Sequence, residues 1–427
     1  MSVGLLVGTF FLLVAIGVPI AFSIGASSLL YFVVYNPGYI SMVPQRVWAG
    51  SNSFVMIALP LFILAGELMN HGGVTKRIIN FCGYVVRPIR GGLGEVNVIA
   101  SMIFGGISGS SVADTSAIGS VLIPQMVEKG YPKPVAVGIT VASSTVGMII
   151  PPSIPMLMYA MISGESVGAL FLAGAIPGIL IGVTQTTLVY IISKKNHYHP
   201  ELVRFNRKHF ALTMRDGSLA VIMPLIIILA ISFGIATPTE VAGIAVLYAA
   251  LLGFLVYREL KGGALLNAVK RAFLSSSSIM IIIGFSMIFS WILAVEQVPQ
   301  MIAEFFLGLQ VHRIWILLML DIIILIVGTF IDVTPALLLV VPILLPVMEG
   351  LGVNALQFGA IMIVGVAIGL VTPPVGMCLN AAAKISKMDI TDIFKGALPY
   401  IACNFIILLL VTFIPALSLW LPGLIFK

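Results

Sequence analysis

The stretch Gly147-Met-Ile-Ile-Pro-Pro152 lies inside an apolar run from about residue 135 to residue 162, which is long enough to cross a bilayer. Its two prolines remove two backbone N–H donors and clash with the preceding turn, so a helix must break there. Backbone groups freed in hydrocarbon cost several kcal/mol each unless protein, water or an ion satisfies them. A second copy, Gly369-Leu-Val-Thr-Pro-Pro374, lies 222 residues later in the apolar run 358–383. Two interrupted helices at corresponding positions of two halves indicate the central site of a transporter, and a simple proline kink is the alternative.

Composition predicts an all-α, polytopic membrane protein. Hydrophobic residues make up 60% of the 427 residues and charged residues only 9%, against roughly 45–50% and about 25% in soluble domains. Many segments hold about 18 or more nearly uncharged residues, the length of a membrane-spanning helix. Residues 3–35 have no basic start and no small-residue cleavage motif. We therefore interpret them as retained membrane helix and not as a removed signal peptide.

Several functional classes are disfavoured by the same residues. Cys82, Cys378 and Cys403 are too scattered for a disulfide framework or a cysteine metal site. The basic residues fall in short breaks between apolar segments and form no groove for nucleic acid. The apolar segments carry no Ser/His/Asp or His-Glu-x-x-His pattern, so we predict neither an enzyme nor an organic cofactor. A channel, or a membrane scaffold without transport, is the alternative from another class.

Lysine and arginine predict which breaks face the cytoplasm. All but three of the 22 basic residues fall in the breaks 71–94, 129–133, 194–216, 258–271 and 384–396. The positive-inside rule assigns these breaks to the cytoplasm. It assigns the poorly charged breaks 36–52, 161–167, 235–239, 298–313 and 350–356 to the outside. Two halves of opposite orientation satisfy the whole pattern.

The sequence thus predicts an inverted structural repeat. The first repeat, residues 1–193, contains scaffold helices in 3–70, a re-entrant hairpin at 95–129, a broken helix at 135–160 and a helix at 168–193. Residues 194–216 form a cytoplasmic linker. The second repeat, residues 217–427, contains scaffold helices in 217–257, a helix at 275–297, a hairpin at 314–350, a broken helix at 357–383 and a helix at 397–425. Two basic amphipathic stretches, 76–87 and 261–273, are predicted as helices on the cytoplasmic surface.

The tips of the two predicted hairpins are rich in oxygen ligands. The first tip, Gly105-Gly-Ile-Ser-Gly-Ser-Ser111, is followed by Asp114, and the second tip, Gly328-Thr-Phe-Ile-Asp-Val-Thr334, contains Asp332. An intramembrane carboxylate costs about 2.5–3.5 kcal/mol on insertion scales, so each one requires a cation or a proton. Hard cations such as Na⁺ prefer oxygen ligands. The alternative is that the small residues only allow close helix packing.

The broken helices are predicted to face these tips. Ser143-Ser-Thr145 precedes Gly147 in the first half, and Thr372 follows Gly369 in the second. Unwound carbonyls at these positions could complete the shell of a cation. Half-helix N-termini after the two proline pairs could hold an anion through their dipoles. The candidate substrate residues are Ser144, Thr145, Pro152, Pro374 and Asn380.

The remaining intramembrane charges are ambiguous. Glu67 and Glu296 lie near helix boundaries, where snorkelling or capping explains them as well as function does. Glu240 follows Pro238-Thr239 and is predicted as a first-turn carboxylate. Lys384 fits an interfacial anchor better than a substrate contact.

Six segments of the chain form a specific combination. They are LPLFILAGELMNHGG, GGLGEVNVIASMIFGGISGSSVAD, ASSTVGMIIPPSIPMLMYA, LFLAGAIPG, GIATPTEVAG and GLVTPPVGM. Together they closely resemble the large membrane (M) subunit of the tripartite ATP-independent periplasmic (TRAP) transporters, over about residues 5–422. The resemblance implies an elevator-type transporter of the ion-transporter superfamily in a bacterial inner membrane. It also implies co-transport of Na⁺ with a small organic acid, of the sialic acid or C4-dicarboxylate class.

The resemblance also implies sites and partners. The Na⁺ sites fall on Ser108, Asp114 and Gly147 in one half and on Gly328, Asp332 and Gly369 in the other, and we extend them to Ser110, Ser111, Thr334 and Thr372. A periplasmic substrate-binding protein delivers the acid, and a small four-helix subunit completes the membrane part. Because the chain begins at its own first helix, we expect that subunit to be a separate polypeptide. The alternative function is a stand-alone Na⁺/dicarboxylate-type carrier without a binding protein.

Overall fold

The computed structural model describes residues 2–86, 92–196, 198, 207–309 and 311–426, and every regular element in these ranges is helical. The first helices are α1 (Ser2–Ala15), α2 (Ile20–Tyr35), α3 (Met42–Ser51), α4 (Phe54–His71) and α5 (Val74–Val86). They are followed by α6 (Gly92–Ser108), α7 (Ser111–Glu128), α8 (Lys133–Ser144), α9 (Ile154–Ser163) and α10 (Val167–Lys195). Next come α11 (Arg207–Ser232), α12 (Pro238–Leu251), α13 (Gly262–Val295), α14 (Val298–Gly308) and α15 (Arg313–Phe330). The last helices are α16 (Val333–Gly350), α17 (Ala355–Gly369), α18 (Met377–Ser386), α19 (Ile390–Phe413) and α20 (Ala416–Ile425).

The all-α, multi-pass membrane class predicted from composition is confirmed. Seven helices of the described ranges are long and apolar enough to cross a membrane. They are α10, the Thr213–Ser232 part of α11, α12 with its π-helical continuation to Val256, α13, α15, α16 and α19. The bent pair of α3 and α4, with an angle of 52°, raises the number to eight if it forms one span.

Two helix–turn–helix units occupy the segments where the sequence predicts hairpins. Helices α6 and α7 turn at Gly109, whose φ of +60° is a conformation that glycine adopts without steric cost. Helices α15 and α16 turn at Ile331 and Asp332. In both units a polar side chain caps the second helix: Ser110 accepts from the Ala113 N–H, and Asp332 from the Val333 N–H.

Both proline-containing segments are interrupted, as the sequence predicts. Helix α8 ends at Ser144, a 3₁₀ turn covers Thr145–Met148, and α9 begins after the cis peptide bond between Pro151 and Pro152. Helix α17 ends at Gly369, and α18 begins after the cis peptide bond between Pro373 and Pro374. The first break lies in the core, because residues 145–149 are all buried.

Two segments predicted as outer breaks between spans contain short helices, and their position outside the membrane stays a prediction. Helix α3 lies within 36–52 and helix α14 within 298–313. Each carries a proline in its first turn, Pro44 and Pro299. The fixed φ of proline suits a helix start, where its missing N–H would have no helical partner. A proline there marks the beginning of a helix and not a loop.

Other helix bounds also differ from the prediction. The stretch 261–273 is not a separate surface helix, because α13 runs on from Gly262 through the predicted span 275–297. The predicted final helix 397–425 begins earlier, at Ile390, and is divided between α19 and α20. Pro415 disfavours the helical conformation at the residue before it, which explains the division. Of the predicted linker 194–216, residues 197 and 199–206 lie outside the described residues, and α11 already begins at Arg207.

A close backbone contact holds α19 against α8. A Cβ atom added to Gly138 would overlap the backbone of Gly396, and one added to Gly396 would overlap the carbonyl of Pro134. Small residues at helix interfaces permit such an approach. Helices α1 and α2 instead pack at the periphery with the end of α13, around Phe10, Phe32 and Phe289. The first break and α19 therefore belong to one tightly packed core.

We expect Gly138→Ala to lower stability by about 1–3 kcal/mol, the usual cost of overpacking, because its methyl group would overlap Gly396. The unfolding midpoint of the purified protein, followed by tryptophan fluorescence, measures the loss. Gly243→Ala on α12 is the matched control, since its methyl group would meet no atom within 4 Å in the described part of the chain. Equal midpoints for the two variants would contradict the contact.

Candidate functional site

The first hairpin turn packs directly against the first helix break. A Cβ atom added to Gly105 would overlap the Cα of Gly147. One added to Gly147 would lie 2.8 Å from the Cα of Gly105 and 3.9 Å from the Cβ of Asp114. Only glycine allows the two backbones to approach this closely. The contact brings Gly147 and Asp114 together, as the sequence predicts for a shared cation site.

The Asp114 carboxylate is an unusual polar group. It is completely buried, and its oxygens form no hydrogen bond of good geometry with the described residues, although the Ser101 hydroxyl lies near them. The buried hydroxyl of Ser111, one turn earlier on α7, is likewise unpartnered within those residues. Thr115, by contrast, donates to the Ser111 carbonyl at 2.9 Å and to the Ser144 hydroxyl at 2.8 Å. An ionised carboxylate buried in this way requires a counter-ion, because desolvation of a lone charge is costly.

The remaining residues of the first tip order its turn. The Ser110 N–H donates to the Ser108 hydroxyl at 3.3 Å, and the Ser110 hydroxyl accepts from the Ala113 N–H at 3.4 Å. Both serine side chains are only half-buried. Ser110 therefore has a local role as a helix cap, in addition to any contact with a ligand.

The second tip repeats the backbone contact of the first. A Cβ atom added to Gly328 would lie 3.2 Å from the Cα of Gly369 and 2.9 Å from the Val366 carbonyl oxygen. The Thr329 carbonyl accepts from the Gly376 N–H at 3.3 Å, which ties the hairpin to the end of the break. Thr334 is buried, whereas the Thr372 hydroxyl is half-buried and donates to the Ile368 carbonyl at 2.8 Å.

The two aspartates are not equivalent, although the sequence pairs them. Asp332 is the N-cap of α16, and one of its oxygens accepts from the Val333 N–H at 2.8 Å. Asp114 lies four residues after Ser110, the cap of α7, where the backbone N–H groups are already used within the helix. The second carboxylate is therefore partly satisfied by the protein, whereas the first has no backbone donor among the described residues.

Sequence analysis missed a link between the two tips. Cys378 on α18 is completely buried, and its thiol lies against the hydroxyls of Thr115 and Ser144. It is also close enough to Asp114 and Asp332 to interact with both carboxylates. The position of Cys378 just after the second break was the available signal. Helix α18, which follows the second break, packs on α7 and α8 of the first half, and the thiol lies at this contact.

The candidate substrate residues fall into two groups. Ser144 and Thr145 are completely buried: Ser144 accepts from Thr115, and Thr145 accepts from Asn404 at 2.9 Å. Pro152 is buried and lines a small pocket with Ser108, Gly109 and Phe62. Pro374 and Asn380 are exposed, and Asn380 donates to the Val375 carbonyl at 2.6 Å. The structure therefore places three of the five residues in the core and two at the surface.

A larger cleft lies between the first hairpin and the helices before it. It has a volume of about 630 Å³, within the range of small-molecule sites. One wall is the exposed face of α7, with Ser110, Ser116 and Ser120. The other carries two basic side chains and one acidic one, Lys76, Arg271 and Glu67. Ser116 and Ser120, four residues apart on α7, were the signal for this face. Only the fold brings α5 and α13 opposite it.

The sequence matches the family model for the tripartite ATP-independent periplasmic transporter, DctM component, over residues 7–417. The chain belongs to this family. It is 37% identical to the sialic acid TRAP transporter large permease protein SiaM of Vibrio cholerae, over 96% of this chain and 95% of that protein. It is 36% identical to the C4-dicarboxylate TRAP transporter large permease protein DctM of Pseudomonas aeruginosa, over 94% of each chain.

Two further relatives widen the comparison. The chain is 37% identical to the isethionate TRAP transporter permease protein DctMQ of Oleidesulfovibrio alaskensis, over 98% of this chain and 66% of that protein. The YdaH transporter of Alcanivorax borkumensis has a similar structure, with a TM-score of 0.64 at 15% identity, covering 91% of this chain and 89% of that one. The similarity to YdaH concerns the fold alone. The named TRAP relatives are permeases, which is consistent with the prediction that the chain is not an enzyme.

The charged residues left ambiguous by the sequence have local partners in this TRAP permease. Glu296 accepts from Ser2 at 2.7 Å and from the Tyr31 hydroxyl, which ties α1 and α2 to the end of α13. Glu240 forms a capping box with Thr237. Glu67 lies 3.4 Å from the His71 ring. Asp321, which sequence analysis missed, accepts from the Thr412 hydroxyl at 3.0 Å and joins α15 to α19.

We expect Asp114→Asn to raise the unfolding midpoint in buffer without metal cations at pH 8, because it removes a buried charge that lacks a partner among the described residues. The same change should reduce the stabilisation of the protein by added Na⁺, because it removes the first of the two expected cation sites and leaves the one at Asp332. Thermal unfolding in choline chloride and in NaCl of equal ionic strength measures both effects. Asp392→Asn, on the exposed side of α19, is the control; an identical Na⁺ response in all three proteins would contradict a cation site at Asp114.

Proposed function

We propose that this chain is the transport-competent large permease subunit of a Na⁺-coupled TRAP transporter that imports a small organic acid by an elevator mechanism. The observation that carries the proposal is the buried Asp114 carboxylate beside the break at Gly147. A carboxylate in that position favours a cation over an empty site, and the sequence family favours transport over a structural role.

The Na⁺ sites of the proposal are one at each hairpin tip. The first uses the Asp114 carboxylate with oxygens from Ser108, Ser110, Ser111 and Gly147; the second uses Asp332 and Thr334 with Gly328, Gly369 and Thr372. Oxygen ligands of mixed kind suit a hard monovalent cation. The close glycine contacts at both tips support the pairing of each turn with its break. Occupation by Na⁺ would neutralise each carboxylate and order the turn around it.

The substrate of the proposal is an organic anion that occupies the cleft between α7 and the helices that carry Lys76 and Arg271. The relatives are named for sialic acid, a C4-dicarboxylate and isethionate, which are all acids. A negatively charged group would meet the two basic side chains, and hydroxyls would meet the serine face of α7. The identity of the acid depends on which binding protein delivers it.

The moving unit of the proposal consists of the two hairpins and two broken helices, α6 to α9 and α15 to α18. These elements recur in the same order in each half, which supports an inverted repeat. The cleft separates this unit from α4, α5 and α13, so sliding at this boundary would carry the substrate across. Na⁺ drives such movement only if it binds the substrate-loaded state more tightly than the empty one.

The partners of the proposal are a periplasmic substrate-binding protein and a small four-helix membrane subunit, in a bacterial inner membrane. Support comes from membership of a tripartite family and from the broad apolar surface of α11, α12 and α13. Leu229, Leu247 and Leu266 on these helices are exposed, as expected for a face that meets lipid or another membrane helix. A stand-alone carrier would need neither partner.

We expect Asp332→Asn and Asp114→Asn each to reduce Na⁺-driven uptake about 10- to 100-fold, because each removes one charged Na⁺ ligand. Uptake of labelled acid into proteoliposomes that contain both membrane subunits, with binding protein added outside, measures the effect. Unchanged Na⁺ dependence in both variants would refute the cation sites. Equal uptake without the binding protein would favour the stand-alone carrier.

We expect Arg271→Gln to raise the half-saturating substrate concentration about tenfold, the equivalent of one charge-assisted hydrogen bond, at unchanged Na⁺ dependence. The same uptake assay at saturating Na⁺ measures the change. Lys270→Gln is the control. It also removes one positive charge from α13, at the exposed residue next to Arg271, which does line the cleft. If both variants raise the concentration equally, the effect belongs to the general surface charge and not to the cleft.

A further inference from the structure

Two buried amide side chains reach the first helix break from other helices. Gln185 on α10 and Asn404 on α19 are completely buried, as is Thr145 at the start of the 3₁₀ turn. The Gln185 amide donates to the Asn404 carbonyl oxygen at 2.7 Å, and the Asn404 amide donates to the Thr145 hydroxyl at 2.9 Å. The three side chains thus form one hydrogen-bonded chain from α10 through α19 to the break.

The same chain of bonds determines where α8 stops. The carbonyl of Ala142 accepts from the Thr145 hydroxyl at 2.6 Å and from the Gln185 amide at 3.1 Å. Carbonyls in the last turn of a helix lack helical partners, and side chains that satisfy them stabilise the end of the helix. Thr145 is therefore held from both sides, by Ala142 in its own helix and by Asn404 in α19. Gly147, two residues later, is in backbone contact with Gly105.

Packing alone does not account for these amides. Helices α8 and α19 are already held together by the contact of Gly138 with Gly396. Two amides in an apolar core are costly unless they are fully bonded, and the Gln185 side-chain oxygen has no partner within the described part of the chain. Apolar residues of similar size would pack here at lower cost. The amides instead fix the orientation of the groups that they bond at the break, because a hydrogen bond is directional.

We propose that Asn404 and Gln185 are positioning residues of the first cation site, which hold the segment from Thr145 to Gly147 in the orientation that faces Asp114. This inference rests on the Na⁺ site of the proposed function. Replacement of side chains that orient a metal ligand without touching the metal typically lowers metal affinity about 10- to 100-fold. Asn404 also makes the first site depend on α19, which carries Thr412 and its bond to Asp321 on the second hairpin.

The test is a Na⁺ titration of the unfolding midpoint of the full-length protein in lipid nanodiscs, with choline replacing Na⁺ at constant ionic strength. We expect Asn404→Leu, which removes both hydrogen bonds at similar volume, to raise the half-maximal Na⁺ concentration by about 10- to 100-fold. Thr145→Val, which removes the hydroxyl alone, should raise it in the same way. Thr145→Ser, which keeps a hydroxyl at this position, should give a half-maximal Na⁺ concentration close to the parent value. Thr184→Val is the control, because the Thr184 hydroxyl bonds only to carbonyls of its own helix among the described residues.

The half-maximal Na⁺ concentration distinguishes positioning from simple stability. A variant that only weakens packing lowers the midpoint equally at every Na⁺ concentration and leaves the half-maximal concentration unchanged; that result for Asn404→Leu would overturn the inference. If Asn404→Leu does not fold, the Thr145→Val and Thr145→Ser pair decides in the same way. Asp114→Asn is measured alongside, and the response that it retains belongs to the second site at Asp332. If Asp114→Asn weakens the Na⁺ response while Asn404→Leu keeps the parent titration, only the positioning role fails. If Asp114→Asn keeps the full parent titration, the first cation site fails and the inference with it.

Discussion

The backbone contact between Gly105 and Gly147 is the interaction on which the site depends. A helix that is interrupted inside a membrane must satisfy its freed carbonyls within the protein, because lipid offers no donors. The glycine contact lets the hairpin turn approach the break without any side chain between them. Asp114 then lies beside the break and is completely buried. Without this approach, neither the unwound backbone nor the buried carboxylate would have a physical reason to persist.

The two tips share this architecture but not its electrostatics. Asp332 caps a helix and accepts a backbone hydrogen bond, so part of its desolvation cost is already offset. Asp114 has no such donor among the described residues. Two cation sites built in this way would differ in their affinity for the cation, because the protein offsets less of the desolvation cost of the carboxylate in the first half. The buried Cys378 thiol lies between the two halves and interacts with both carboxylates.

Helix α19 links the two halves of the core. Its glycine contact reaches α8, its Asn404 reaches the first break, and its Thr412 reaches Asp321 on the second hairpin. Gln357 on α17 also donates to the carbonyls at the end of this helix, at 3.0 and 3.1 Å. These bonds tie α19 to both halves of the unit that the proposed function treats as moving. The polar cleft, with Lys76 and Arg271, lies at the other side of the first hairpin, where sliding would have to occur.

The sequence by itself determined the membrane class, the two helix breaks and the two turns between hairpin helices, because these depend on local features. Apolar length, paired prolines and glycine-rich turns act on the backbone where they occur. The effect of a proline depends on its place in the helix: Pro44 and Pro299 lie in the first turn of a helix, whereas Pro415 divides the predicted final helix. The inequality of Asp114 and Asp332, the cleft, Cys378 and the Asn404 network were decided only by the tertiary structure. Each depends on which residues from distant parts of the chain meet, and a hydrogen bond between residues 145 and 404 leaves no spacing signal along the chain.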